Sequence, residues 1–354
     1  MMKGQVQATT SGKRMLWVDY ARGIAIILVL YRHIVVGLGY SGIEIPELVF
    51  NIQETTLNFR MPVFFILSGC FLYLSINKYS SGQVFQRKVY TLLHPYVLWT
   101  IILISFQIVF SNFTNAEREV ADFRYIITQP REIDHMWYLL ALFNTSAMFL
   151  LLWKFFKTHP ILHFILAIAL HYCSFLLKDF SLLSDPFYHY IFLLAGAYIP
   201  KYLYQLENKN NRFFLLMLIT VTPLFITGQY FWFHFREEPI IYALPFVIII
   251  FIAFLFFYCI CRILQNAHVA NWLVVIGKHS LYIYILHLYV IAAFRAFCVR
   301  ILGTDNLILL LPGSLLLGIL IPIVAFKLAN RLNLWYLFSL EKPGKVKTIH
   351  VRKV

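Results

Sequence analysis

Trp17-Val-Asp19-Tyr-Ala-Arg22-Gly-Ile-Ala-Ile-Ile-Leu-Val-Leu-Tyr-Arg32-His33, running on to about Tyr40, decides the fold. The stretch is apolar enough to cross a bilayer, yet it holds a carboxylate, two guanidiniums and an imidazole. An ionisable group at the bilayer centre costs roughly 2.5–3.5 kcal/mol on insertion scales, so such groups are functional suspects. At about 100° per residue, Arg22 and His33 fall about 20° apart on the helical wheel, and Asp19 lies about 40° from His33. Asp19, Arg22 and His33 therefore share a face, with His33 roughly 16 Å beyond Arg22 along the axis. Arg32, about 100° from His33, points elsewhere.

The whole chain follows the same pattern. Hydrophobic residues make up 60% of its 354 residues and charged ones 13%, against roughly 25% charged in soluble domains. At about 20 residues per span there is room for about ten helices and no separate soluble catalytic domain. The expected fold is all-α, a polytopic transmembrane bundle. The net charge of +14 does not indicate nucleic-acid binding, because the basic residues cluster at the ends of apolar segments and in the C-terminal tail. Ten spans are expected, at about 17–40, 59–76, 89–110, 137–155, 161–177, 187–204, 213–230, 240–261, 280–300 and 307–328. With the N-terminal lead on one side, that side collects 21 of the 30 Lys and Arg but 3 of the 16 Asp and Glu. The cationic excess marks it as cytoplasmic and puts both termini there. The organisation expected is a cytoplasmic lead at 1–16, a transmembrane domain at 17–328 and a basic cytoplasmic tail at 329–354. The lead runs into a full-length span without a small-residue cleavage site, so the first helix is expected to stay. The tail's lysines and arginines suit an anionic lipid surface.

The five cysteines lie in apolar segments with no metal or disulfide spacing, and buried small hydrophobes are the expected reading. The second span opens Asn58-Phe-Arg60-Met-Pro62 and contains Ser68-Gly69, a small surface for close helix approach. Arg60 either snorkels to headgroups or faces an extracytoplasmic anionic substrate, and the sequence leaves both open. Arg87 and Lys88 are inside anchors or phosphate ligands. His135 and Trp137 open the fourth span; Trp137 suits an interfacial belt and His135 the handling of a sugar hydroxyl. Ser280 and His287, seven apart, share a helix face. His287 reads equally as a buried partner across helices or as a site residue, and the remaining histidines, His189 among them, as core. Asn271–Ile276 is short enough to be re-entrant or interfacial. No phosphate loop, GxSxG elbow, HExxH or dinucleotide fingerprint occurs.

Taken together, the motifs resemble a family. Trp17-x-Asp19-x-x-Arg22-Gly with His33, Met61-Pro-Val-Phe-Phe-Ile-Leu-Ser-Gly69, Leu92-Leu-His-Pro-Tyr96, His135-x-Trp-Tyr138 and Ile276-Gly-Lys-His-Ser-Leu-x-Ile-Tyr-x-Leu-His287 resemble, in order, motifs of the acyltransferase 3 family of bacterial membrane O-acyltransferases. The Asp-Tyr-Ala-Arg-Gly form is most similar to the sugar O-acetylase branch. The resemblance implies a multi-pass protein of the bacterial cytoplasmic membrane that takes an acyl group, usually acetyl, from cytoplasmic acyl-CoA. The recipient would be a hydroxyl of a surface or lipid-linked saccharide, with no metal involved. It also implies His33 and Arg22 as the functional pair and Arg87 and Lys88 as the region facing the CoA phosphates. Two departures stand out: Tyr90 replaces a further arginine common in the family, and Arg32 beside His33 is not part of the pattern. On chemical grounds His33 is the candidate general base, Arg22 the candidate ligand of a CoA phosphate or of the oxyanion, and Asp19 the residue that orients Arg22. The rival class is a transporter or flippase for a saccharide or small acid, which predicts inverted repeats; none is visible.

Overall fold

A computed structural model describes residues 15–111 and 118–341, and within them the chain is helical with no strand. The helices are α1 (Leu16–Tyr40), α2 (Glu47–Thr55), α3 (Leu57–Ile76), α4 (Ser81–Lys88), α5 (His94–Val109), α6 (Trp137–Phe156), α7 (Pro160–Leu176), α8 (Ser181–Tyr198), α9 (Pro200–Leu203), α10 (Asn211–Phe235), α11 (Ala243–Ala267), α12 (Asn271–Lys278), α13 (Ser280–Ala296) and α14 (Leu307–Arg331). Lipid offers no partner for backbone N–H and C=O groups, so apolar segments of this length close their hydrogen bonds within themselves. Eight helical stretches among the described residues are long and apolar enough to cross a membrane. The chain is a multi-pass, all-α membrane protein. Two of the ten expected spans correspond to shorter pieces: α7 is apolar over 17 residues, and α8 has 18. The lead before Met15 and the tail beyond Glu341 lie outside the described residues.

α1 is the hub, packing against α3, α11, α12, α13 and α14. Two of its neighbours are held backbone to backbone. A Cβ on Gly277 would strike the Asp19 carbonyl, and one on Gly23 would strike the Leu273 carbonyl, so α12 lies directly on the first turns of α1. The Asn271–Lys278 segment is thus a separate short helix, turned from α13 at His279. The Ser68-Gly69 step also has its reason: a Cβ on Gly69 would strike Leu193 of α8, and one on Gly196 would strike Ile66 of α3. Small residues let helices approach at this range, where packing replaces the hydrophobic drive absent in lipid.

Between α4 and α5 the chain makes a π-turn at Val89–Leu93. Pro95 follows at once and cannot donate the hydrogen bond that an α-helix requires there, and a widened turn accommodates the gap. The turn swings Thr91 and Leu92 toward the bundle interior. Of the five cysteines, Cys70, Cys259, Cys261 and Cys298 are buried, but Cys173 is exposed on α7, contrary to expectation. Its helix has few neighbours on that side and presents Leu162, Ile165 and Leu176 outward as well.

Candidate active site

Two cavities lie along α1. The first, about 270 Å³, is lined by Arg22, Ser68, Lys88, Thr91, Lys278, Ser280, Tyr138 and Tyr284, with apolar side chains between them. Three cations, from α1, α4 and α12, thus converge on one small space, and no carboxylate lines it. Arg22 also lies over the Phe71 ring, 4.5 Å from its centroid. The second cavity, about 620 Å³, is nearer the other end of α1. Its wall includes Arg32, His33, Asn58, Arg60, Arg131, Asp134, His135, Trp137, His189 and Tyr284. A third space of about 230 Å³ adjoins it, sharing His33, Val36 and Asp134 and adding Gln107 and Arg295.

Tyr284 borders both main cavities. Its ring meets Tyr138 edge-on at 5.2 Å, and Tyr138 in turn packs on Phe65 at 5.4 Å and Phe64 at 5.8 Å. These aromatics form the partition between the two spaces. On α13, Ser280, Tyr284 and His287 follow at helical spacing along one face. That face therefore runs from the first cavity, through the partition, to a cluster of histidines.

The cluster joins three distant segments. The His33 ring lies 5.1 Å from His287 and 6.1 Å from His135, and His135 lies 4.9 Å from His287. His287 is fully buried, and its Nδ1 donates to the carbonyls of Tyr284 at 2.7 Å and Ile283 at 3.0 Å. A carbonyl can only accept, so the proton sits on Nδ1 and Nε2 carries a lone pair. That Nε2 is buried with no hydrogen-bond partner among the described residues. His135 is arranged similarly: Nε2 faces the Ile285 carbonyl at 3.4 Å, and Nδ1 is buried without a partner. His135 precedes α6, and burial pushes its imidazole down to about 4 despite the backbone carbonyls of Ile285 and Tyr284, which favour the charged form. Among the described residues, no group of His, Cys, Asp and Glu is arranged to hold a metal ion.

The expected residues are distributed as follows. Arg22, Lys88 and Ser280 meet at the first cavity, and His33, His135, Trp137 and Arg60 at the second. His287 stands behind His33. Asp19 is buried beside Gly277, off the cavity walls. Arg87 is not brought to the first cavity with Lys88. Its guanidinium lies over Tyr79 at 4.0 Å and 3.8 Å from Glu341, and it holds the Tyr79 phenol below its ordinary value through a side-chain hydrogen bond. Arg32, set apart by the wheel, nonetheless reaches the second cavity, where Nη1 donates to Gln53 at 2.9 Å. Sequence reasoning missed His189, which stacks on Phe65 at 4.1 Å, and Arg131, which donates to Asp185 at 2.6 Å and covers Trp137 at 4.3 Å. The i, i+4 pair Asp185–His189 on an otherwise apolar helix was the available signal.

A family model described as an acyltransferase domain, acyltransferase 3, matches residues 15–327. The chain belongs to the acyltransferase 3 family. The protein is an acyltransferase, and the match takes in both cavities, the partition and the histidine cluster. No curated protein and no solved structure matches the chain.

Proposed function

We propose that the protein is a membrane O-acyltransferase that moves an acyl group, acetyl foremost, from cytoplasmic acyl-CoA to a hydroxyl of a cell-surface or lipid-linked saccharide. The observation that carries the reading is the meeting of two chemically different cavities at one residue, Tyr284. The first, with Arg22, Lys88 and Lys278, suits the phosphates and pantetheine arm of CoA. By the distribution of Lys and Arg it faces the cytoplasm, with both termini on that side, and membership of the family supports the bacterial cytoplasmic membrane as its place. At about 270 Å³ it admits the arm but not the nucleotide, which stays at the mouth. The second cavity receives the saccharide.

In this reading the arm passes Tyr138 and Tyr284 and presents the thioester at His33. An imidazole shielded from water is neutral and accepts a proton. His33 takes the proton of the sugar hydroxyl as its oxygen attacks the thioester carbonyl. The tetrahedral oxyanion collapses, the C–S bond breaks, and the proton passes from His33 to the departing CoA sulfur. His287 acts as a positioning residue: its ring packs 5.1 Å from that of His33, and its unpartnered Nε2 lone pair stands ready to accept an N–H as the reaction proceeds. Arg22 binds the donor, and buried Asp19 fixes the first turns of α1 against α12.

The test is purified protein with acetyl-labelled acetyl-CoA. Slow release of labelled acetate, accelerated or redirected by a saccharide, supports the proposal. Uptake of saccharide into vesicles with no acetyl transfer overturns it in favour of transport.

A further inference from the structure

We propose that the second cavity binds a saccharide bearing an anionic group, a carboxylate or a phosphate, and that Arg60 and Asn58 hold that group. The proposal rests on the reading of this cavity as the saccharide site.

Folding leaves two polar side chains on this cavity wall unmatched. Arg60 is only 4% exposed and its Nη1 has no hydrogen-bond partner among the described residues. Asn58, two residues earlier on α3, is 9% exposed, and both its Oδ1 and Nδ2 lack partners. Both side chains line the 620 Å³ cavity. Buried polar groups are almost always satisfied, and a buried charge without a counter-charge is among the costliest defects a fold can carry. Two such residues on one cavity wall mark a place where a ligand completes the hydrogen bonding.

The carboxylates around the cavity are engaged elsewhere. Glu54 accepts from Arg236 and lies 3.8 Å from Arg32, so two guanidiniums share it. Asp185 is held by Arg131 at 2.6 Å. Asp134 accepts from Gln107 at 2.6 Å and lies 4.0 Å from Arg118. Glu54 acts on Arg60 through space, but no ion pair among the described residues includes Arg60. The cavity therefore keeps a cationic surplus. A neutral sugar would satisfy hydrogen bonds and leave the charge; a carboxylate or phosphate answers both, in the fork geometry a guanidinium favours. The oxyanion of acyl transfer is too brief a guest to balance Arg60 in the resting protein.

The decisive measurement is binding to the full-length protein in lipid nanodiscs without acyl-CoA, followed by calorimetry or thermal shift. The probes are D-glucuronate, D-glucose 6-phosphate and D-glucose. At least one anionic sugar is expected to bind saturably and about tenfold or more tighter than glucose, and the tighter of the two identifies carboxylate or phosphate. Arg60→Gln is expected to erase the preference and Arg60→Lys to keep part of it. Equal binding of the three sugars, no binding of either anion, or a preference that survives Arg60→Gln overturns the proposal. The wild-type comparison is decisive even if Arg60→Gln does not fold. Acetyl transfer is scored separately: no anion preference in the wild-type protein with acetyl-CoA turnover intact rejects this inference alone, whereas Arg60-dependent binding without turnover rejects the catalytic reading.

Discussion

The two cavities differ in how their charges are matched, and the difference separates their roles. The smaller one gathers Arg22, Lys88 and Lys278 with no carboxylate on its wall among the described residues. The larger one interleaves five guanidinium or imidazole groups of α1, of α3 and of the segment before α6 with Asp134, and the neighbouring Glu54 and Asp185 stand behind the wall in ion pairs. The first resembles a landing place for a polyanion, the second a recognition pocket with a reactive nitrogen at its edge. Tyr284 is common to both.

The sharpest break of this contrast is His33→Ala. A general base contributes typically 10²–10⁴-fold, so labelled acetyl transfer should fall by about that factor while the protein elutes as folded material and still binds acetyl-CoA. Next comes the partition. Tyr284→Ala should join the cavities and raise acetyl-CoA hydrolysis without saccharide by roughly tenfold, because excluded water prevents that side reaction; Tyr284→Phe should behave as wild type. A release assay for CoA thiol reads both. The adjacent pair Arg87 and Lys88 sharpens the donor side. Losing one charge-assisted hydrogen bond costs about 1.5–3 kcal/mol, so Lys88→Gln should raise the KM for acetyl-CoA about tenfold or more, and Arg87→Gln should leave it within about twofold.

Two smaller effects concern the frame. Gly277→Val should lower the thermal unfolding midpoint in detergent, since overpacking typically costs about 1–3 kcal/mol and the Asp19 backbone cannot move aside. His135 titrates lower in the fold, about 4, than its ordinary value of 6.5. Its contribution to stability is therefore complete above about pH 6.5 and is lost as the pH falls toward 4. Melting curves across that window should show His135→Gln with a shallower decline than wild type.

The helical period made Arg22 and His33 legible from sequence, because both sit on one helix and the wheel needs no tertiary information. Ser280 and His287 were legible for the same reason, although their shared face spans two compartments with Tyr284 between them. The histidine cluster was not, since α1, α13 and the segment before α6 meet only through packing. Lys88 and Arg87 could not be told apart in advance. One residue step turns a side chain about 100°, and which of the two faces inward depends on how the π-turn sets α4 against α6. Arg32 was set aside by the wheel, yet a long guanidinium stem covers that angle and reaches Gln53. Eight of the expected spans coincide with helices long and apolar enough to cross a membrane, and the other two fall on the shorter α7 and on α8, much of which is buried among its neighbours.

The glycine contacts have a mechanical consequence. At Gly277 and Gly23, α12 is clamped to α1, and at Gly69 and Gly196, α3 is clamped to α8, each without side-chain cushioning. Sliding either pair would drive backbone into backbone, so each pair moves as one stiff beam. Arg22 and His33 ride on one beam, Arg60 and His189 on the other. A shift of one beam against the other would therefore change the spacing of His33 and Arg60 while each keeps its place among the side chains of its own beam.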